Sequence, residues 1–107
     1  GMNGHLGFNE NGVDFSLNAH IIPLSETTRK VMSKYFGDKF HPTQGISQGI
    51  RQIMAARRVI LIANGAHKAE ILRKAVRGSV TNEVPASVLQ NHPNCYVVAD
   101  EAAAALL

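Results

Sequence analysis

The sequence predicts an α/β chain with a mostly parallel sheet, the carboxy-terminal portion of a three-layer Rossmann-like fold. Two short apolar runs, at residues 59–63 and 96–99, are typical of strands that are buried on both faces. Helical patterns lie before, between and after these runs, and strands that alternate with helices form parallel sheets. Two strands are too few for such a sheet. We therefore expect the missing strands to come from an amino-terminal half of the same polypeptide, which is absent from this chain.

The helices are predicted from their capping residues and from the spacing of their apolar residues. The first covers residues 25–36, with Ser25 as its N-cap and Gly37 after its last turn. The second runs from Ile46 to about Arg57, because isoleucines recur there at helical intervals. The remaining helices are predicted at residues 67–76, from Pro85 onwards, and at residues 101–107 after the cap Asp100.

Composition excludes several classes of protein. The net charge of +3 comes from 11 basic and 8 acidic residues spread along the chain. The densest basic stretch, from Arg51 to Arg58, lacks the aromatic neighbours on which bases stack, which argues against nucleic-acid binding. The single cysteine, Cys95, excludes an internal disulfide and is expected to be a buried core thiol. No signal peptide or apolar run of membrane-spanning length is visible, so we expect a soluble, cytoplasmic protein.

A glycine-rich loop at the start of the chain carries the candidate chemistry. Asn3, His5 and Glu10 place an amide, an imidazole and a carboxylate within ten residues. A carboxylate near a histidine can hold the tautomer of the ring and raise its basicity. From spacing alone, however, a solvated loop with a histidine placed there by chance is the simpler interpretation.

Residues 1–10 resemble the active-site signature of glucosamine-6-phosphate deaminases, Gly-x-Asn/Asp-Gly-His-Ile/Leu-Ala/Gly-Phe-Asn-Glu-Pro. The chain as a whole resembles the carboxy-terminal half of the glucosamine-6-phosphate deaminase/isomerase family. The spacing between Thr43 and Arg57 is most similar to the galactosamine-6-phosphate isomerase branch. The family blocks that follow the signature are matched in order at residues 43–47, 56–61, 65–69 and 85–92.

The resemblance implies a role for each candidate residue. His5 would open the pyranose ring by proton transfer, while Glu10 and Asn3 would orient and tune it. Lys68 falls on the phosphate-binding lysine of the family. Its position at the start of a helix after a buried strand also favours an anion. Lys34 aligns with a phosphate-binding arginine, although lysine supplies a point charge instead of a bidentate fork.

The implied reaction is aldose–ketose isomerisation with deamination of galactosamine 6-phosphate or glucosamine 6-phosphate. It gives a ketohexose 6-phosphate and ammonia, without metal or organic cofactor. The carboxylate that moves the proton between C1 and C2 belongs to an upstream motif outside these residues, so the chain alone is expected to be inactive. The expected partners are the sugar phosphate and the amino-terminal half of the same protein. Neither nucleic acid nor a membrane is expected. A homo-oligomer is an open alternative to a monomer.

Alternative functions and departures from the family pattern limit this interpretation. A 6-phosphogluconolactonase-like hydrolase shares the fold, but Phe8-Asn9-Glu10 stands where lactonases have Ser-Leu-Phe-Pro. A non-catalytic sugar-phosphate sensor domain is a third possibility, which an intact His5–Glu10 pair disfavours. His20 and Ile22 replace the cationic residues of allosterically regulated members, so an effector site is not expected. The family proline is replaced by Asn11, and His41, His67 and His92 lack the spacing of a zinc site.

Overall fold

The structure, a computed structural model, describes residues 1–37, 39 and 41–107. It has an α/β architecture, as predicted. In chain order the elements are β1 (His20–Pro23), α1 (Glu26–Phe36), β2 (Gln44–Ser47), α2 (Ile50–Met54), β3 (Val59–Ala63), α3 (Ala69–Arg77) and β4 (Cys95–Ala99). Two 3₁₀ segments, Ala66–Lys68 and Pro85–Asn91, precede α3 and β4.

The core lies on one face of a parallel strand pair. Strands β3 and β4 pair in parallel with Val59 opposite Cys95 and Ala63 opposite Ala99. Helix α3 and the 3₁₀ segment Pro85–Asn91 pack against each other. The buried apolar residues of these two segments are Ala69, Leu72, Ala75, Ala86, Val88 and Leu89.

The opposite face of the parallel pair is apolar and exposed. Side chains alternate between the faces of a strand, and the exposed fractions are 56% for Ile60 and 73% for Ile62 on β3. Their neighbours on β4, Tyr96 and Val98, are 53% and 54% exposed. Cys95 at the start of β4 is only half-buried, so the expectation of a buried core thiol is wrong for this chain. On the same face of β4, Val97 is still 40% exposed, so the described residues cover this face only in part.

An antiparallel strand pair was not predicted. Strand β1 pairs with β2, so residues 44–47 are a strand and the predicted helix from Ile46 to Arg57 shrinks to α2. The helical interval from Ile46 to Ile50 crosses the boundary between two elements. Ile46 is 72% exposed on β2, whereas Ile50 is fully buried in α2. Spacing alone could not separate these two environments.

Helix α1 has the predicted caps. Ser25 accepts the Thr28 backbone N–H through Oγ at 3.2 Å, and Gly37 ends the helix with a positive φ of 69°. An ion pair between Glu26 and Lys30 at 3.5 Å lies along its exposed side. None of the residues of α1, all of which the structure describes, is buried. The packing that normally stabilises a helix is therefore largely missing here.

The turns after β3 and β4 are joined by one carboxylate. Asp100 accepts the Gly65 N–H through both carboxylate oxygens at 3.1 Å, and the Ala103 N–H at 2.8 Å. These backbone bonds, the Ala103 bond first, hold the pKa of Asp100 below its ordinary value. Asp100 thus caps the turn that follows it, but the predicted helix is wrong, because residues 101–107 form turns. So short a segment gains too little packing to propagate a helix.

No helix among the described residues combines the length and the hydropathy needed to cross a membrane.

Candidate active site

The loop that carries His5 is fixed by close contact with the segment before β4. The Gly4 carbonyl accepts the Ala86 N–H at 2.8 Å. Gly4 has a φ of +73°, and a Cβ there would lie 2.8 Å from Cγ1 of Val84. A side chain at this position would be both strained and blocked. The glycine thus allows the backbone to approach closely and holds the next residue, His5, in one place.

His5 and Lys68 line the same cavity, which has a volume of about 80 Å³. The other walls come largely from the second half of β3 and from apolar residues of α3. Lys68 is half-buried at the N-cap position of α3. Ligands of open α/β sheets bind beyond the carboxyl ends of the strands, and the cavity lies at that end of β3. It therefore combines a titratable ring with a cation where a small anion would bind.

The environment of His5 favours the neutral ring. Burial is the largest effect lowering its pKa below the ordinary value of 6.5, and the charge of Lys68 acts in the same direction. The Gly7 carbonyl and the Glu10 carboxylate raise the pKa but do not offset these effects. Nδ1 lies 2.8 Å from the Gly7 carbonyl oxygen. Because a carbonyl only accepts, Nδ1 carries the proton, and Nε2 is the atom that can act as a base.

Glu10 and Asn3 both act near His5, but in different ways. Glu10 is close enough to influence the His5 pKa, while it accepts a hydrogen bond from Thr28 at 2.5 Å, and Oγ of Ser25 lies 3.4 Å from the same oxygen. Asn3 accepts the backbone N–H of His5 at 3.3 Å through Oδ1. It orders the loop rather than the imidazole ring.

Lys34 lies apart from these residues. It is exposed in the last turn of α1 and does not line the cavity of His5 and Lys68. A larger cleft of about 450 Å³ between α1 and residues 41–43 also contains none of the predicted site residues. The phosphate-binding role of Lys34 thus rests on the resemblance alone.

Asn9 is a structural residue of this site to which the sequence analysis gave no role. It is fully buried, and its Nδ2 donates to the carbonyls of Leu6 at 2.8 Å and Gln48 at 2.7 Å. Ser47 receives the Phe8 N–H at 3.2 Å, which adds a second link. These bonds attach the active-site loop to the end of β2. Its place within the signature motif was the only signal in the sequence.

Replacing Asn9 by alanine is expected to lower the free energy of unfolding by about 1–3 kcal/mol, because its fully buried side chain makes two hydrogen bonds to backbone carbonyls. Equilibrium urea unfolding of the full-length protein measures this value. The matched control is Asn11→Ala, two residues away and exposed, which should stay within about 0.5 kcal/mol of the wild type. Equal stability of the two variants would contradict the assignment.

His92 has a satisfied structural role. It is buried, and its Nε2 lies 2.8 Å from the Ala56 carbonyl while Nδ1 accepts the Asn94 N–H at 3.0 Å. Both ring nitrogens are occupied by backbone groups. His92 therefore joins the turn before β3 to the turn before β4.

Comparison with known proteins gives consistent matches. The family model described as glucosamine-6-phosphate isomerases/6-phosphogluconolactonase matches residues 15–98. A glucosamine-6-phosphate deaminase of Streptococcus thermophilus is 48% identical over 100% of this chain and 46% of its own length. One from Lactococcus lactis subsp. cremoris is 44% identical, again over 100% of this chain and 46% of the relative.

Two solved structures also match. A monomeric glucosamine-6-phosphate deaminase superposes with a TM-score of 0.88 at 38% identity, covering 100% of this chain and 45% of that one. A 6-phosphogluconolactonase from Trypanosoma cruzi has a TM-score of 0.73 at 20% identity, over 100% of this chain and 38% of the other, and supports the fold alone. The chain spans about half the length of the curated relatives it matches. These matches confirm the predicted fold class.

Proposed function

The chain belongs to the glucosamine-6-phosphate isomerase/6-phosphogluconolactonase family, and we propose that the full-length protein is a hexosamine-6-phosphate deaminase and isomerase. The observation that carries the proposal is the shared cavity of His5 and Lys68 at the carboxyl end of β3. A neutral imidazole and a cation in one small cavity suit an anionic sugar that must exchange a proton. The names of the relatives support the same reaction class.

In the proposed mechanism, His5 moves the proton that opens the pyranose ring. Its lowered pKa leaves the ring neutral at pH 7, so Nε2 can accept a proton from the sugar hydroxyl and return it to the ring oxygen. Lys68 binds the 6-phosphate with a charge-assisted contact. Glu10 supports the basicity of His5 through its negative charge. The carboxylate that acts on C1 and C2 lies outside these residues.

We propose glucosamine 6-phosphate as the preferred substrate, since the matched relatives carry that name. The galactosamine epimer, expected from the spacing between Thr43 and Arg57, is the alternative that the same assay tests. Either epimer takes up water and yields a ketohexose 6-phosphate and ammonia. We also propose Lys34 as a second ligand of the 6-phosphate of the sugar.

The remainder of the full-length protein is proposed to cover the exposed face of β3 and β4. Four large apolar side chains there, each more than half exposed, form a face that parallel sheets normally bury. The matched relatives are about twice as long as this chain, which gives enough additional sequence for further strands. The 107 residues are thus proposed to be the carboxy-terminal part of one domain.

Activity assays test this function directly. Ammonia release and ketose phosphate formation from both epimers are measured for the full-length protein and for the 107-residue chain. We expect turnover by the full-length protein and none by the chain, because a missing proton-transfer group costs about 10²–10⁴-fold in rate. Hydrolysis of 6-phosphogluconolactone in place of deamination would favour the lactonase alternative. Binding of the sugar phosphates without turnover would favour the sensor domain.

A further inference from the structure

The Glu10 carboxylate is held by the first turn of helix α1. Oγ1 of Thr28 donates to Oε1 of Glu10 at 2.5 Å, and Oγ of Ser25 approaches the same oxygen at 3.4 Å. The Ser25 hydroxyl also lies 2.9 Å from Oγ1 of Thr28, to which it donates. The two hydroxyls and the carboxylate therefore form a short chain of hydrogen bonds.

The Glu10 carboxylate at the end of this series of hydrogen bonds determines which hydroxyl donates to which. An ionised carboxylate only accepts, so the Thr28 proton points to Glu10, and the lone pair of Thr28 is left for the Ser25 proton. Ser25 accepts the Thr28 backbone N–H as the N-cap of α1. The cap that starts the helix thus also orders the hydroxyl that holds Glu10. Hydrogen bonds in such a chain polarise and strengthen one another.

Neither hydroxyl lines the cavity of His5 and Lys68. Their effect on the reaction must therefore pass through Glu10, whose charge acts on the imidazole. Both contacts use Oε1, which leaves Oε2 of the carboxylate for a second donor. Glu10 is half-buried and has a flexible side chain, so without these contacts it can turn towards solvent.

We propose that Thr28 is a positioning residue of the active site, whose hydroxyl, ordered by Ser25, holds the Glu10 carboxylate where it acts on His5. This inference rests on the proposed function of His5 and Glu10. Helix α1, which has no buried residues, thereby takes part in the chemistry of the site.

The test compares Thr28→Val with Thr27→Val in the full-length protein. Valine keeps the shape of threonine and removes only the hydroxyl, and Thr27 lies on the same helical turn with an exposed side chain. We expect Thr28→Val to lower kcat by about 10- to 100-fold, the scale on which a misplaced catalytic group costs rate. KM should change little, because Thr28 does not contact the cavity. Thr28→Ser, which restores the hydroxyl, should recover most of the rate.

A second readout separates positioning from a merely structural role. The groups of this chain that act on the His5 pKa in the full-length protein are Lys68, the Gly7 carbonyl and Glu10. Only the contribution of Glu10 depends on Thr28. NMR titration of the His5 ring should give a lower pKa in Thr28→Val than in Thr27→Val, because the carboxylate that raises this pKa is released. A His5→Gln variant identifies the resonance.

Equal kcat values and equal His5 titrations in the two valine variants would overturn the inference. If Thr28→Val does not fold, Ser25→Gly gives the same test, since glycine is accepted at an N-cap while the ordering hydroxyl is removed. A wild-type protein without activity on either hexosamine 6-phosphate would refute the proposed function. The NMR comparison would then still decide whether Thr28 positions Glu10.

Discussion

Replacing His5 by glutamine in the full-length protein is expected to lower kcat by about 10²–10⁴-fold, the usual contribution of a positioned acid–base group. Glutamine retains hydrogen-bonding capacity but cannot accept and return a proton at neutral pH. Steady-state assays of ammonia release measure the effect. His41→Gln is the matched control, because His41 is exposed and does not line the cavity of His5. A His5→Gln variant with a kcat near that of the control would refute the role of His5.

The pH dependence provides a second check on the same residue. The ring must be neutral to accept a proton, and burial places the His5 pKa below 6.5. We therefore expect kcat/KM to be retained at pH 7 and to fall as the pH drops through this lowered pKa. In Glu10→Gln the fall should occur at still lower pH, since the carboxylate charge that raises the pKa is absent. A fall at higher pH in this variant would contradict the coupling.

Replacing Lys68 by methionine is expected to raise KM for the 6-phosphate sugar by about 10- to 150-fold. The loss of one charge-assisted hydrogen bond to a phosphate costs about 1.5–3 kcal/mol. Methionine preserves the length and the apolar stem of the side chain, so the half-buried wall of the cavity stays filled. The effect should appear in KM more than in kcat, because the phosphate is bound equally in the ground state and the transition state.

The control for Lys68 is Lys74→Met on the same helix. Lys74 is exposed and pairs with Glu70 at 3.4 Å, which is a surface interaction of small energy. Its KM should match that of the wild type. An unchanged KM in Lys68→Met would contradict the phosphate-binding role of Lys68. An increase in Lys34→Met as well would support the second phosphate ligand of the proposal.

Much of the fold could be predicted because the elements carry local signals. Strands β3 and β4 are apolar and β-branched, and α1 is marked by Ser25 and Gly37 at its ends. The antiparallel pair of β1 and β2 lacked such signals. Strand β1 ends in Pro23, and the isoleucine spacing that spans β2 and α2 imitates one helix. Where the periodicities of two adjacent elements coincide, only the difference in burial between Ile46 and Ile50 separates them.

The residues of the candidate site also differ in whether a local sequence signal marks them. His5, Asn3, Glu10 and Lys68 could be proposed because each belongs to a short local motif that resembles one of the family. Thr28 could not be found in this way, because its contact with Glu10 joins two residues that are 18 positions apart and belong to different elements. A threonine in a first helical turn has no pattern of its own, so its role depends entirely on tertiary structure.

The bridge made by Asp100 has a consequence for how the protein tolerates substitution. One exposed carboxylate fixes the distance between the turns that follow two parallel strands, and one of those turns leads directly to Lys68. In an alignment Asp100 would resemble an ordinary helix cap, for which serine or threonine is a neutral exchange. A shorter hydroxyl cannot span both turns, so a library designed on capping statistics would admit changes here that release the turn leading to Lys68. Engineering for stability should leave this position fixed and diversify the exposed residues around it.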